Sequence, residues 1–148
     1  MKKALFSGTF DPFTIGHHEL IKRALCLADE IIIAVGINSE KKTLFTLEER
    51  MDKIANIYAK ESRVKIASYD SLTIDFAKEI NADFILRGIR SITDFEYEKN
   101  MAEINRKLSG IETVFLFSEP EYSYISSSLV RELISHKKDI SNLIPYIK

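Results

Sequence analysis

The run Ile31-Ile32-Ile33-Ala34-Val35 constrains the fold more than any other stretch of the chain. A strand of consecutive apolar, mostly β-branched residues has no side to turn to water. Both of its faces must be covered, which is the condition inside a parallel sheet flanked by helices.

Strand-like and helix-like stretches alternate through the rest of the sequence. Residues 4–6 read as a first strand, followed by a helix over 17–28. After the isoleucine-rich strand comes a polar loop, then Thr46 with Glu49 three residues on, the pattern of a capping box. The helix it opens is expected to bury Leu47, Met51, Ile54, Ala55 and Tyr58. Residues 64–67, 84–86 and 113–117 are expected as further strands, with helices over 74–80 and 94–108. Ser126 or Ser127 then opens a helix through Leu133 and Ile134, before a short last segment. Five βα units with right-handed crossovers predict an α/β fold: a doubly wound, five-stranded parallel sheet of Rossmann-like type. No repeat or linker interrupts the pattern, so a single domain over 1–148 is expected. In such folds ligands sit beyond the carboxyl ends of the strands, where the strand order reverses.

Composition narrows the partners. The 148 residues include 21 basic and 22 acidic side chains, for a net charge of −1. That balance argues against nucleic acid or anionic membranes as partners held by bulk charge, but leaves room for a local cationic pocket. One cysteine, Cys26, excludes an intrachain disulfide and a cysteine-based zinc site. It is expected as a buried, inert thiol in the first helix. No apolar run reaches membrane-spanning length and no signal-peptide pattern opens the sequence, so a cytoplasmic location is expected.

The segment Gly8-Thr9-Phe10-Asp11-Pro12-Phe13-Thr14-Ile15-Gly16-His17 joins the first strand to the first helix. A strand, a glycine-containing loop and a helix N-terminus make an anion site, because loop backbone and free N–H groups can approach a phosphate. Thr9 adds a hydroxyl and His17 an imidazole. Leu20, Ile21, Ala24, Leu27 and Ala28 form a helical stripe that His17 begins, so His17 is expected to face the sheet's carboxyl end. His18, about 100° round the helix, is expected nearer solvent. On these elements alone, phosphate chemistry and a plain capping role stand level. Asp11 reads as a loop residue that hydrogen-bonds backbone.

Other candidates follow later strands. Arg87-Gly88-Ile89-Arg90 offers two guanidiniums suited to phosphate, although paired loop arginines are often only solvated. Lys41 or Lys42 could reach across the cleft, with plain soluble surface as the competing reading. Tyr122-Ser123-Tyr124-Ile125-Ser126-Ser127-Ser128 places hydroxyls at a helix N-terminus, where serine is also the ordinary cap. Tyr122 or Tyr124 could stack a nucleobase or simply pack. Phe95 and Tyr97 are candidates for packing or for a subunit contact. No His, Asp and Glu constellation of metal-ligand type is visible, and the adjacent His17 and His18 diverge on a helix.

Four strings, GTFDPFTIGH, KKTLFTLEER, RGIRSITDFEYE and YSYISSSLVRE, together resemble the pantetheine-phosphate adenylyltransferases of the nucleotidyltransferase superfamily. They span residues 8–132. The first marks the superfamily, and RGIR with DFEYE and ISSSLVRE mark this family within it. The resemblance implies transfer of the adenylyl group of ATP to 4′-phosphopantetheine, giving dephospho-coenzyme A. It gives catalytic roles to His17, Thr9 and Lys41, and puts Thr9, Lys41, Thr73 and Arg87 on the phosphopantetheine side. Thr9, Phe10, His17, Gly88, Ile89, Arg90, Glu98 and Tyr122, Ser123, Tyr124, Ile125, Ser126, Ser127 and Ser128 fall on the ATP side. It further implies Mg2+ held through ATP phosphates rather than by protein ligands, a homohexamer, and coenzyme A as a feedback ligand. Ser7 stands where members often have proline, and Ile15 where a polar residue is common. The rival readings are a relative with another acceptor and a noncatalytic nucleotide-binding module on the same fold.

Overall fold

The computed structural model describes residues 1–145; the end of the expected short last segment, residues 146–148, lies outside them. Five strands, β1 (Lys3–Gly8), β2 (Glu30–Gly36), β3 (Val64–Tyr69), β4 (Phe84–Ile89) and β5 (Glu112–Phe117), form one parallel sheet in the order β3-β2-β1-β4-β5. The helices are α1 (Ile15–Ala24), α2 (Leu47–Ile57), α3 (Thr73–Glu79), α4 (Ile92–Ser109) and α5 (Ser127–Ser135). The doubly wound architecture read from the sequence is the one observed.

Strand alternation divides the core in two. Ala4, Phe6, Ile31, Ile33, Val35 and Leu86 face one layer, packed with Leu20, Ile21 and Ala24 of α1 and Ile54 of α2. Leu5, Ile32, Ala34 and Ile85 face the other, with Ile74, Phe76 and Ala77 of α3. Ile31, Ile33 and Val35 are wholly buried. Each side chain of this kind contributes roughly 1.5–3 kcal/mol on burial. The strand order reverses between β1 and β4, so the crevice opens at their carboxyl ends.

Local signals explain most boundaries. Thr46 caps α2 by accepting from the Glu49 N–H, and Glu49 accepts from the Thr46 N–H, as expected. Ser91 caps α4, and Gly110 ends it at φ 77, a left-handed conformation suited to glycine.

Several expectations are corrected. Helix α1 stops at Ala24 rather than 28, because residues 25–28 tighten into turns that deliver Asp29 and Glu30 to the Lys2 carbonyl beside β1. Leu27 and Cys26 are therefore exposed, not buried in the first helix. Ala55 is exposed, and the buried positions of α2 are Arg50 and Ile54. Strand β4 runs on to Ile89, because Arg87, Gly88 and Ile89 pair with Phe115, Leu116 and Phe117 of β5. The RGIR segment is mostly strand, not a loop after one. A Cβ on Gly88 would stand 3.3 Å from Leu20, so α1 crosses β4 closely there. A short 3-10 turn at Pro120–Tyr122 has no counterpart in the sequence reading.

Candidate active site

The loop from β1 to α1 is tightly built. Phe10 adopts φ 51, a conformation that strains a bulky residue by about 1–3 kcal/mol. Its ring folds back on the strand end, where a Cβ on Gly8 would lie 3.0 Å from it. Thr14, almost fully buried, then caps α1 through its hydroxyl, which accepts from the His17 N–H.

His17 completes that cap in place of the usual glutamate. Its Nδ1 accepts from the Thr14 N–H at 2.9 Å. A ring nitrogen that accepts carries no proton, so the neutral imidazole is the tautomer with hydrogen on Nε2. Phe10, Phe13 and Phe6 surround the ring, with centroids 5.1, 5.2 and 6.1 Å away. This burial, aided by the positive charge of Arg90 and Arg87, lowers the His17 pKa from 6.5 to about 3. His17 is thus a neutral donor at physiological pH, set in the first turn of a helix. His18 is not simply solvent-facing: its Nδ1 shares a 2.9 Å hydrogen bond with the Tyr58 hydroxyl. Burial lowers the His18 pKa and raises that of Tyr58.

Two cavities open at the carboxyl ends of the strands. One, about 940 Å³, lies between the loops after β2 and β3 and helix α4. The other, about 320 Å³, lies between the β1–α1 loop, the end of β4 and the start of α5. Both are lined by Ser7, Gly8, Thr9, Lys41, Arg87 and Glu98, so the cavities meet at these residues. Thr73 lines only the larger cavity, its hydroxyl 3.1 Å from that of Tyr69. Phe10, His17, Gly88, Arg90, Tyr122, Ile125, Ser126, Ser127 and Ser128 line only the smaller.

The cations are held differently. Arg87 forms a bidentate pair with Glu98, at 2.9 and 2.6 Å, and donates to the Ser7 carbonyl at 2.7 Å. Burial works against its charge, but Glu98 outweighs that and raises its pKa. Arg90 donates to Asp94 and to the Ile125 carbonyl. Lys41 is exposed on its loop at the mouth of both cavities. At the other wall Ser126 caps α5, Ser127 donates to the Pro12 carbonyl, and Ser128 accepts from Arg131.

Three residues assigned to the nucleotide side line neither cavity. The Ile89 side chain is buried, on the opposite strand face from Gly88. The Ser123 hydroxyl turns back onto the Pro120 carbonyl, and Tyr124 is exposed. Between the two tyrosines left open in sequence, only Tyr122 reaches the cavity. Arg50 and Arg131 were missed: each is a charged residue inside a helix pattern, where nothing in the periodicity distinguishes a charge turned inward. Asp94, which lines the smaller cavity, reads in sequence only as an acid suited to the dipole of the helix it opens. Asp11 bonds backbone as expected, accepting from the Leu44 and Phe45 N–H groups at 2.8 and 2.9 Å.

A helix-capped imidazole, converging cations and two joined cavities suit the meeting of two phosphate-bearing molecules. Comparison with known proteins agrees. Residues 5–133 match the cytidylyltransferase-like family. The chain is 57% identical over 145 residues to a phosphopantetheine adenylyltransferase of Bacteroides thetaiotaomicron, covering 98% of this chain and 96% of that one. The chain belongs to the phosphopantetheine adenylyltransferase family. A second member, from Bacteroides fragilis, is 54% identical with 98% and 97% covered. The fold is shared more widely. A bifunctional NMN adenylyltransferase/ADP ribose pyrophosphatase from Francisella tularensis superposes with a TM-score of 0.70 at 15% identity, over 97% of this chain and 44% of that one. A lipopolysaccharide core biosynthesis protein from Thermoplasma volcanium gives 0.59 at 22% identity, over 80% and 97%. Membership makes this chain an enzyme of nucleotidyltransferase type.

Proposed function

We propose that the chain transfers the adenylyl group of ATP to 4′-phosphopantetheine, giving dephospho-coenzyme A and pyrophosphate in coenzyme A biosynthesis. The observation that carries this reading is the junction of the two cavities at Thr9, Lys41 and Arg87, with the neutral donor of His17 beside it.

The larger cavity suits an extended acceptor: Leu72, Met101, Ile104 and Leu108 offer apolar surface along it, and Lys41 and Arg87 stand where it meets the smaller cavity. The smaller suits a nucleotide triphosphate laid across the starts of α1 and α5. An acceptor phosphate oxygen attacks the α-phosphorus in line, and the bond to the β-phosphate oxygen breaks as pyrophosphate leaves. The acceptor phosphate is already a nucleophile, so positioning and charge stabilisation suffice. Thr9, Lys41 and Arg87 hold the acceptor phosphate, and Thr73 flanks its arm. Arg90, Glu98 and the start of α5 frame the nucleotide. The Nε2–H of His17 meets the negative charge that develops on the α-phosphate.

Among the described residues no three His, Cys, Asp or Glu side chains converge as a metal cage. Mg2+ is proposed to enter on the triphosphate as part of the substrate. A homohexamer is proposed, supported by α4, which buries none of its residues within the chain and leaves Ile92 and Phe95 exposed outside both cavities. Coenzyme A, which shares the product's groups, is proposed as a feedback ligand of both cavities. No helix among the described residues is long and apolar enough to cross a membrane, which is consistent with the proposed cytoplasmic location.

The test is pyrophosphate release by purified protein with Mg2+ and ATP. Release dependent on 4′-phosphopantetheine, with dephospho-coenzyme A identified by mass spectrometry, is expected. Equal turnover with nicotinate mononucleotide or glycerol phosphate, or none with any acceptor, overturns the proposal.

A further inference from the structure

Two charged side chains that take no direct part in the mechanism above tie the two acceptor-holding loops together. Asp11 and Arg50 are 2% and 5% exposed. Among the described residues neither enters an ion pair. Each spends its charge on main chain. From the β1–α1 loop, Asp11 accepts from the N–H groups of Leu44 and Phe45, in the loop that carries Lys41. From the first turn of α2, Arg50 reaches back. Its Nη1 donates to the carbonyl of Thr9 at 2.8 Å and to that of Gly36 at 3.3 Å, and its Nε to that of Thr46.

The two contacts run in opposite directions across one gap. Thr9 is held from the Lys41 side, and the Lys41 loop is held from the Thr9 side. Burying a charge is expensive, and apolar residues of similar size commonly stabilise as well or better. What a charge-to-amide contact supplies that packing does not is a fixed distance and direction. Lys41 is otherwise on an exposed loop, three residues from the first braced amide. Without the brace, the spacing between Thr9 and Lys41 would vary with the loop.

We propose that Asp11 and Arg50 are positioning residues that fix Thr9 and Lys41 relative to each other at the junction of the cavities. They act through those two residues. The catalytic arm of the proposal rests on the adenylyl-transfer reading, and the structural arm does not.

Asp11→Asn and Arg50→Lys keep size and polarity while removing one partner each. Amide hydrogen exchange reads the brace directly. The Leu44 and Phe45 amides should both be protected in the unmodified protein, and in Asp11→Asn, whose side chain keeps one acceptor oxygen, one of the two should lose protection. Kinetics reads its purpose. Each variant should lower kcat/KM for phosphopantetheine by about 10- to 100-fold, the scale of a small misplacement of reacting groups. ATP binding should change less than phosphopantetheine binding, since Thr9 and Asp11 also border the nucleotide cavity. In a Lys41→Ala background, measured by single turnover with protein in excess, Asp11→Asn should cost less than about threefold more, because residues acting through one another are not additive. Equal losses in both backgrounds would make Asp11 a general structural residue and overturn the proposal. So would full protection of both amides in Asp11→Asn. If Asp11→Asn does not fold, Arg50→Lys in the same two backgrounds decides. If the unmodified protein has no activity with phosphopantetheine, the functional reading fails, and the exchange result alone supports or overturns the brace.

Discussion

The main-chain N–H of Thr14 donates to Nδ1 of His17 at 2.9 Å, while the Thr14 hydroxyl accepts from the His17 N–H. One residue thus caps the helix and presents its other ring nitrogen as a donor. The two roles occupy different atoms and can be separated by substitution.

His17→Asn can keep the Nδ1-like acceptor for Thr14 but has nothing at the position of Nε2. It should unfold within about 1 kcal/mol of the parent protein, the scale of a capping contact, yet lose about 10²–10³-fold in kcat, the scale of one preorganised donor. His17→Gln, whose amide nitrogen can reach the Nε2 position and whose amide oxygen is an acceptor of the usual capping-box kind, should recover part of kcat. KM for ATP should change little in both. Thermal unfolding and steady-state kinetics on the pair check this. If both variants lose kcat equally, the donor is not the Nε2–H.

The low pKa of His17 has a consequence for stability. The unfolded chain takes up a proton near pH 6.5, whereas the folded imidazole, packed among phenylalanines at the cavity wall, resists it down to about 3. Between those values the unfolded state binds more protons, so stability rises with pH. His17 should contribute a loss of up to about 1.4 kcal/mol for each unit that pH falls below 6.5. The contribution should be absent in His17→Gln. Denaturant unfolding of both proteins from pH 7 to 4.5 gives the difference, and parallel curves would reject it. For the same reason kcat between pH 6 and 8 should show no step from His17.

The fold was legible because its decisive signals are local. The Ile31–Val35 run needs two covered faces, and Thr46 with Glu49 marks a helix start without tertiary help. The end of α1 was not legible, since Leu27 and Ala28 continue the stripe. What stops the helix is the distance to β2, a fact of the assembled sheet. The site divides in the same way. The residues resembling the family fall mostly around the two cavities, but the partners of the charges do not show in sequence. Nothing in spacing tells Arg50, turned onto the Thr9 carbonyl, from a solvated arginine on an amphipathic helix. The inward turn of Ile89 follows from β4 running three residues past its expected end at Leu86, a length set by pairing with β5.

His18 should act on stability and not on chemistry. Its Nδ1 meets the Tyr58 hydroxyl, and Tyr58 packs edge-on to Phe13, which flanks His17. His18→Ala should cost about 1 kcal/mol, because it leaves the buried tyrosine hydroxyl short of a partner. Tyr58→Phe should cost a similar amount alone and little more in combination with His18→Ala. Urea unfolding of the four proteins gives the cycle. The kcat of His18→Ala should stay within a few-fold of the parent, and a 10²-fold loss would place His18 in the mechanism.

Arg87 has to be tested together with Glu98, because the two are one unit in this structure. The Glu98 side chain is only 12% exposed and takes both Nε and Nη2 of Arg87, while Nη1 is committed to the Ser7 carbonyl. Two of the guanidinium's five N–H donors remain for an acceptor phosphate, one on each terminal nitrogen. Arg87→Ala should weaken phosphopantetheine binding by roughly 1.5–3 kcal/mol, the scale of a hydrogen bond to a charged group. It also strands a largely buried carboxylate, so the variant should lose stability beyond the lost packing. Adding Glu98→Gln removes that carboxylate. The double variant should regain stability relative to Arg87→Ala while its phosphopantetheine binding stays weak. Calorimetric titration with phosphopantetheine and thermal unfolding, run on both variants, separate the two effects. If binding returned together with stability, Arg87 would matter only as the partner of Glu98, and the acceptor phosphate would have to be held by Thr9 and Lys41 alone.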